Sequence, residues 1–119
     1  MPTRHNPMPI AHRAVVHGDT VYLAGMVADD KSLSIGGQAT QALEKIDALL
    51  QTVGSDATLI LSTMNYITTM AHKAELNEAW SRFFAPEDLP ARATVAVAEL
   101  GPGTLIEIVA VAALRSPQG

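Results

Sequence analysis

The chain contains no cysteine in its 119 residues. That excludes disulfides, thiolate catalysis and cysteine-ligated metals, and it fits a reducing compartment. Basic residues are few. Eight Lys and Arg against twelve Asp and Glu give a formal net charge of −4 with no basic run, which argues against nucleic acid or an anionic membrane as a partner. No apolar run approaches the roughly 20 residues needed to span a bilayer. The opening Met1-Pro2-Thr3-Arg4-His5-Asn6-Pro7 lacks the apolar core of a signal peptide. These features predict a soluble, cytoplasmic protein. Aromatic residues are scarce at 4%, and Trp80, Phe83 and Phe84 fall at helical spacing, so they read as core and not as a base-stacking platform.

Familiar chemical signatures are missing too. There is no phosphate-binding G-x-x-x-x-G-K-[ST] loop, no G-x-G-x-x-G after a strand and no G-x-S-x-G elbow. His5, His12, His17 and His72 form no ligand spacing, so no metal is expected.

What the chain does contain is a packed core. An apolar fraction of 48% over 119 residues predicts one domain, 1–119, that folds without staples. Pro2, Pro7 and Pro9 predict an irregular lead-in over residues 1–11, and a fraying tail is expected over 115–119. Residues 14–17 and 20–25 read as a hairpin around Gly18-Asp19. Gly25 ends that apolar run, where a glycine permits a bulge or the close approach of something bound. From 38 to 53 the period changes: Ala39, Leu43, Ile46, Leu50 and Val53 recur at steps of three and four, predicting a helix capped by Gly54. Residues 59–67 read as a strand, and Leu76, Trp80, Phe83 and Phe84 mark a second helix over about 73–84. Two apolar runs, 90–97 and 105–112, follow. The turn Gly101-Pro102-Gly103 predicts that they are hairpin neighbours.

The resulting order, β-β-α-β-α-β-β, predicts one mixed sheet with both helices on one face. In the last strand Leu105, Val109, Val111 and Ala113 point one way while Ile106, Ile108, Ala110 and Ala112 point the other. Two helices cover one side only, so the second side calls for a cover, and a homo-oligomer supplies it most simply. The rival is a wet second face, with Thr63, Asn65 and Thr94 as its polar residues.

Two charges stand out in the last strand pair. Arg92 opens one run and Glu107 sits inside the other. A guanidinium fork suits a carboxylate held at two points. The bland alternative is an ion pair between Arg92 and Glu107 themselves. Partial burial among Leu105, Val109 and Val111 suits Glu107 to move a proton or hold a water, and neutralising Arg92 is the equal alternative. His12 and Met26 are candidates for the rim of a pocket.

Pro90-Ala91-Arg92-Ala93-Thr94-Val95, followed by Ile106-Glu107-Ile108-Val109-Ala110, resembles the Rid (YjgF) family of imine and enamine deaminases. Gly18-Asp19-Thr20-Val21-Tyr22-Leu23-Ala24-Gly25 resembles that family's second strand, and residues 76–84 its second helix. The resemblance implies a chorismate-mutase-like α+β fold and a homotrimer whose sheets face inward, with a ligand cleft between neighbouring subunits. It further implies hydrolysis of 2-imino acids to 2-keto acids and ammonia, without metal or organic cofactor. Arg92 would bind the substrate carboxylate and Glu107 would position the attacking water. Backbone groups near Ala93, Thr94 and Gly25 would line the site, and Asn77 is a weaker, structural candidate. The chain departs from the archetypal pattern at Ala11, at Met26 and at Thr94, where tyrosine, glutamine and cysteine are usual. The altered entrance leaves room for a second reading, a non-catalytic trimer that binds or senses small keto acids or other carboxylates.

Overall fold

The computed structural model describes residues 1–115. Six strands form one mixed sheet: β1 (Thr3–Met8), β2 (Ala11–His17), β3 (Thr20–Leu23), β4 (Ile60–Ile67), β5 (Ala91–Ala96) and β6 (Ile106–Ala113), in the spatial order β1-β2-β3-β6-β4-β5. Two α-helices, α1 (Ile35–Thr52) and α2 (Lys73–Phe83), pack on one face. Only β4 and β5 run parallel, joined through α2; every other pairing is antiparallel.

Helix α1 forms where the apolar period predicts it. Ile35, Ala39, Ala42, Leu43, Ile46 and Leu50 are buried along one stripe. Gly54 sits just past its end at φ 90°, and the Ser55 N–H reaches back to the Leu50 carbonyl at 2.9 Å, closing the helix with a left-handed turn. At the other end Ser34 makes no side-chain cap. Instead Glu75 of α2 accepts the Gly36 N–H at 2.7 Å. In β6, Ile106, Ile108, Ala110 and Ala112 are buried under the helices while Glu107, Val109, Val111 and Ala113 are half-exposed on the far face. The expected alternation therefore holds. Among the described residues no helix is long and apolar enough to cross a membrane.

The fold departs from the sequence-based expectation in three places. Residues 3–8 form β1, not an irregular lead-in; they pair with β2 from Thr3↔Val16 to Met8↔Ala11. Prolines predicted irregular structure there, but β1 is an edge strand, where a missing N–H costs no ladder bond if it faces outward. Second, the runs over 90–97 and 105–112 are not hairpin neighbours: β4 lies between β5 and β6. The Gly101-Pro102-Gly103 turn is tied to α1 by Gln38, a fully buried amide. Its Nε2 donates to the Gly103 carbonyl at 3.0 Å and to the Leu33 carbonyl at 3.1 Å, and its Oε1 accepts the Leu105 N–H at 2.9 Å. Third, Thr63, Asn65 and Thr94 belong to the helix-covered face, beside Ala110 and Ile108, not to the open one. The tail expected over 115–119 lies outside the described residues except for Arg115, which is held by Asp56 at 2.9 Å.

Candidate active site

The sheet register fixes where each candidate residue lies. On one cross-strand row Arg92 stands beside Thr63, and Thr63 beside Ala110. On another, Val95 stands beside Tyr66, and Tyr66 beside Glu107. Because side chains alternate along a strand, the first row faces the helices and the second faces away. Arg92 and Glu107 are therefore on opposite faces of the sheet, and the alternative reading, an ion pair between them, is not met within one copy.

The Arg92 side chain rises from the edge strand β5 toward α2. Its Nη2 donates to Asn77 Oδ1 at 2.7 Å, and its guanidinium lies 5.2 Å from the centre of the Trp80 ring. The amide carbonyl and the ring face orient the fork without cancelling its charge. Among the described residues no carboxylate pairs with it; the salt bridges there are Lys45–Asp29 and Arg115–Asp56. Burial pushes the guanidinium pKa below its ordinary value. A half-buried cation without a counter-ion is a ready seat for an anion. Trp80 has a second task besides filling the core against Phe84, whose ring centre is 5.1 Å away. Sequence reasoning gave Trp80 no part in the site and gave Asn77 only a minor one. Their spacing of three residues on α2, which places both on one helix face, was the available signal.

Glu107 sits on the open face against Gly25. A Cβ on residue 25 would collide with the Glu107 carboxylate, so the group that approaches this glycine closely is Glu107 itself. The chain past β3 is held there by Met26, which exchanges backbone hydrogen bonds with Ile108 at 2.8 and 2.9 Å. The other expected site residues scatter. Met26 is only 5% exposed and packs in the core; it borders a hollow of about 370 Å³ with Arg13, Asp29, Lys45 and Leu49, whose lining does not include Glu107. His12 is half-buried in β2 opposite Pro7. Ala93 faces the open side, where it borders a groove of about 410 Å³ with Ser62, Met64, Val109 and Val111. Thr94 shares the Arg92 face, beside Asn65. One copy thus places Arg92, Asn77, Trp80 and Thr94 beneath α2 and Glu107 against Gly25 on the open face, and keeps the two groups apart.

A family model described as endoribonuclease L-PSP matches residues 3–114. The chain belongs to that family, the Rid or YjgF family. Rid relatives of the chain carry different names. A RutC family protein of Haemophilus ducreyi is 33% identical over 100 residues, covering 84% of this chain and 86% of that one. The 2-iminobutanoate/2-iminopropanoate deaminase of Homo sapiens is 34% identical over 106 residues, covering 84% and 77%. Among solved structures, an uncharacterized protein from Pseudomonas aeruginosa superposes with a TM-score of 0.91 at 36% identity, covering 97% of this chain and all of that one. The mixed sheet with two helices is therefore the Rid fold.

Proposed function

We propose that this chain hydrolyses reactive 2-imino acids to 2-keto acids and ammonia, as a cytoplasmic homotrimer whose sites lie between neighbouring copies. The observation that carries the proposal is Arg92: a half-buried guanidinium at a sheet edge, oriented by Asn77 and Trp80, with no carboxylate partner among the described residues. The human relative's name supports the imine substrate class, and the net charge of −4 favours it over the ribonuclease activity in the family's name.

The trimer supplies what one copy lacks. The open face exposes Tyr22 by 49% and Val95 by 41%, apolar surface that a second copy would cover. Placing the β5 edge of one copy against the open face of the next brings Arg92 of the first toward Glu107 of the second. Arg92 then holds the substrate carboxylate. Glu107 of the neighbouring copy orients a water and takes its proton as the oxygen bonds to the imine carbon. The C=N π pair passes to nitrogen, which gains a proton, giving a carbinolamine; its hydroxyl then gives up a proton, nitrogen gains a second one, the C–N bond breaks, and ammonia leaves as the keto group forms. The imine carbon is already electrophilic, so positioning supplies much of the acceleration and no cofactor is required.

A dehydratase that uses pyridoxal phosphate would generate 2-iminobutanoate in the cuvette, with semicarbazide competing for it. The parent protein is expected to suppress the semicarbazone, and Arg92→Ala to leave it undiminished. Failure of the folded parent to suppress it with any small 2-imino acid would overturn the proposal. The separation of Arg92 from Glu107 within one copy favours one other reading, a trimer that binds or senses keto acids. Saturable keto-acid binding without turnover would establish that reading instead.

A further inference from the structure

Four buried polar atoms beside Arg92 meet no hydrogen-bonding partner among the described residues: Thr63 Oγ1, Asn65 Oδ1, Asn65 Nδ2 and Thr94 Oγ1. They form one patch. Thr63 stands next to Arg92 across β4 and β5, and Asn65 stands next to Thr94 one row along, all on the face beneath α2. The surrounding positions on that face, Ile67, Ile106, Ile108 and Ala110, are apolar and fully buried. Desolvating a hydroxyl or an amide without a partner is costly, and Asn65 pays for both ends of its amide at 0% exposure. A carbon side chain at 65 would remove that cost. The patch adjoins Arg92, the half-buried cation of the proposed site, for which no carboxylate partner stands among the described residues.

We propose that this patch selects the substrate: the chain takes 2-imino acids whose side chain ends in a hydroxyl or a carboxamide, in preference to aliphatic ones. The inference rests on the deaminase reading above. Dimensions support it. Arg92 and Thr94 leave β5 two residues apart on one face, with roughly 7 Å between their backbones, a spacing of the same order as a carboxylate, two carbons and a terminal carboxamide. With the carboxylate on Arg92, the far end of such a substrate points along the sheet toward Thr94 and Asn65, the next row on that face. The approach is from the β5 edge, where Arg92 and Thr63 border a groove of about 410 Å³; the Thr94 hydroxyl and the Asn65 amide are closed to solvent in the isolated copy, so contact with the substrate requires the Thr94 side chain to turn aside.

An L-amino-acid oxidase would produce imines of nearly equal shape from asparagine and leucine, with semicarbazide as the trap. The parent is expected to favour the asparagine-derived imine by about tenfold in kcat/KM, the effect of one good hydrogen bond. In Thr94→Val and in Asn65→Val that ratio should fall toward one, while the melting temperature stays level or rises because an unpaired buried group has gone. A parent that turns over the leucine-derived imine equally well or better overturns the inference and leaves the deaminase reading standing. So does a ratio that survives in both variants. A parent that accelerates the loss of neither imine, nor of 2-iminopropanoate, overturns the deaminase reading itself and this inference with it.

Discussion

The Glu107 carboxylate fills the space that a side chain on residue 25 would need, so the position of one is set by the smallness of the other. The two are brought together by the Met26–Ile108 backbone pair, which carries the chain past the end of β3 alongside β6. A general base must sit within hydrogen-bond reach of the water it activates.

Gly25→Ala should therefore displace the carboxylate and leave the sheet intact. The expected result is a loss of kcat of about tenfold or more, with KM for the imino acid changed far less, because Arg92 on the other face is untouched. Steady-state kinetics together with the circular-dichroism melt separate this from simple unfolding.

Gln38 joins the start of α1 to the 101–105 turn through two hydrogen bonds, to the Gly103 carbonyl at 3.0 Å and from the Leu105 N–H at 2.9 Å, and holds the Leu33 carbonyl at 3.1 Å. Gln38→Leu strips a partner from the Leu105 N–H and from two carbonyls, so the loss of unfolding free energy should be about 3 kcal/mol. Urea unfolding of parent and variant measures it.

Acid should weaken the fold at the helix contact. The Ser34 hydroxyl, and next the Gly36 N–H, hold the Glu75 carboxyl below its ordinary value of 4.5. A carboxyl lowered by folding adds stability above its unfolded value and loses that stability as pH falls through its folded value. The Thr58 hydroxyl, chiefly, lowers Asp56 from 3.8 in the same sense. The melting temperature should stay level from pH 7 to about 5 and decline below the unfolded carboxylate range. Glu75→Gln should lower the plateau and soften the decline.

Much of this fold was legible in the sequence because the residues that build it follow a period. Ala39, Leu43, Ile46 and Leu50 announced α1, and the alternation of Ile106, Ile108, Ala110 and Ala112 announced a two-sided β6. Local rules failed where a distant contact decides. Pro7 argues against a strand until an edge position makes its missing N–H harmless. Gly101-Pro102-Gly103 looks like a hairpin turn until Gln38, more than sixty positions earlier, docks it on α1. The site was half-legible for the same reason. Arg92 and Glu107 stand out as charges in apolar runs, but which face each occupies depends on β4 entering between their strands. Thr63, Asn65 and Thr94 could not be assigned to the covered face without that register.

The shared site is tested most directly by complementation. Arg92→Ala and Glu107→Gln proteins, each inactive alone, would be unfolded together in equal amounts and refolded as mixed oligomers. A site that takes Arg92 from one copy and Glu107 from the next is intact in about a quarter of random pairings. Imine hydrolysis should therefore return to about a quarter of the level of parent protein refolded in the same way. A mixture that stays as inactive as either variant, beside a refolded parent that is active, would contradict the account.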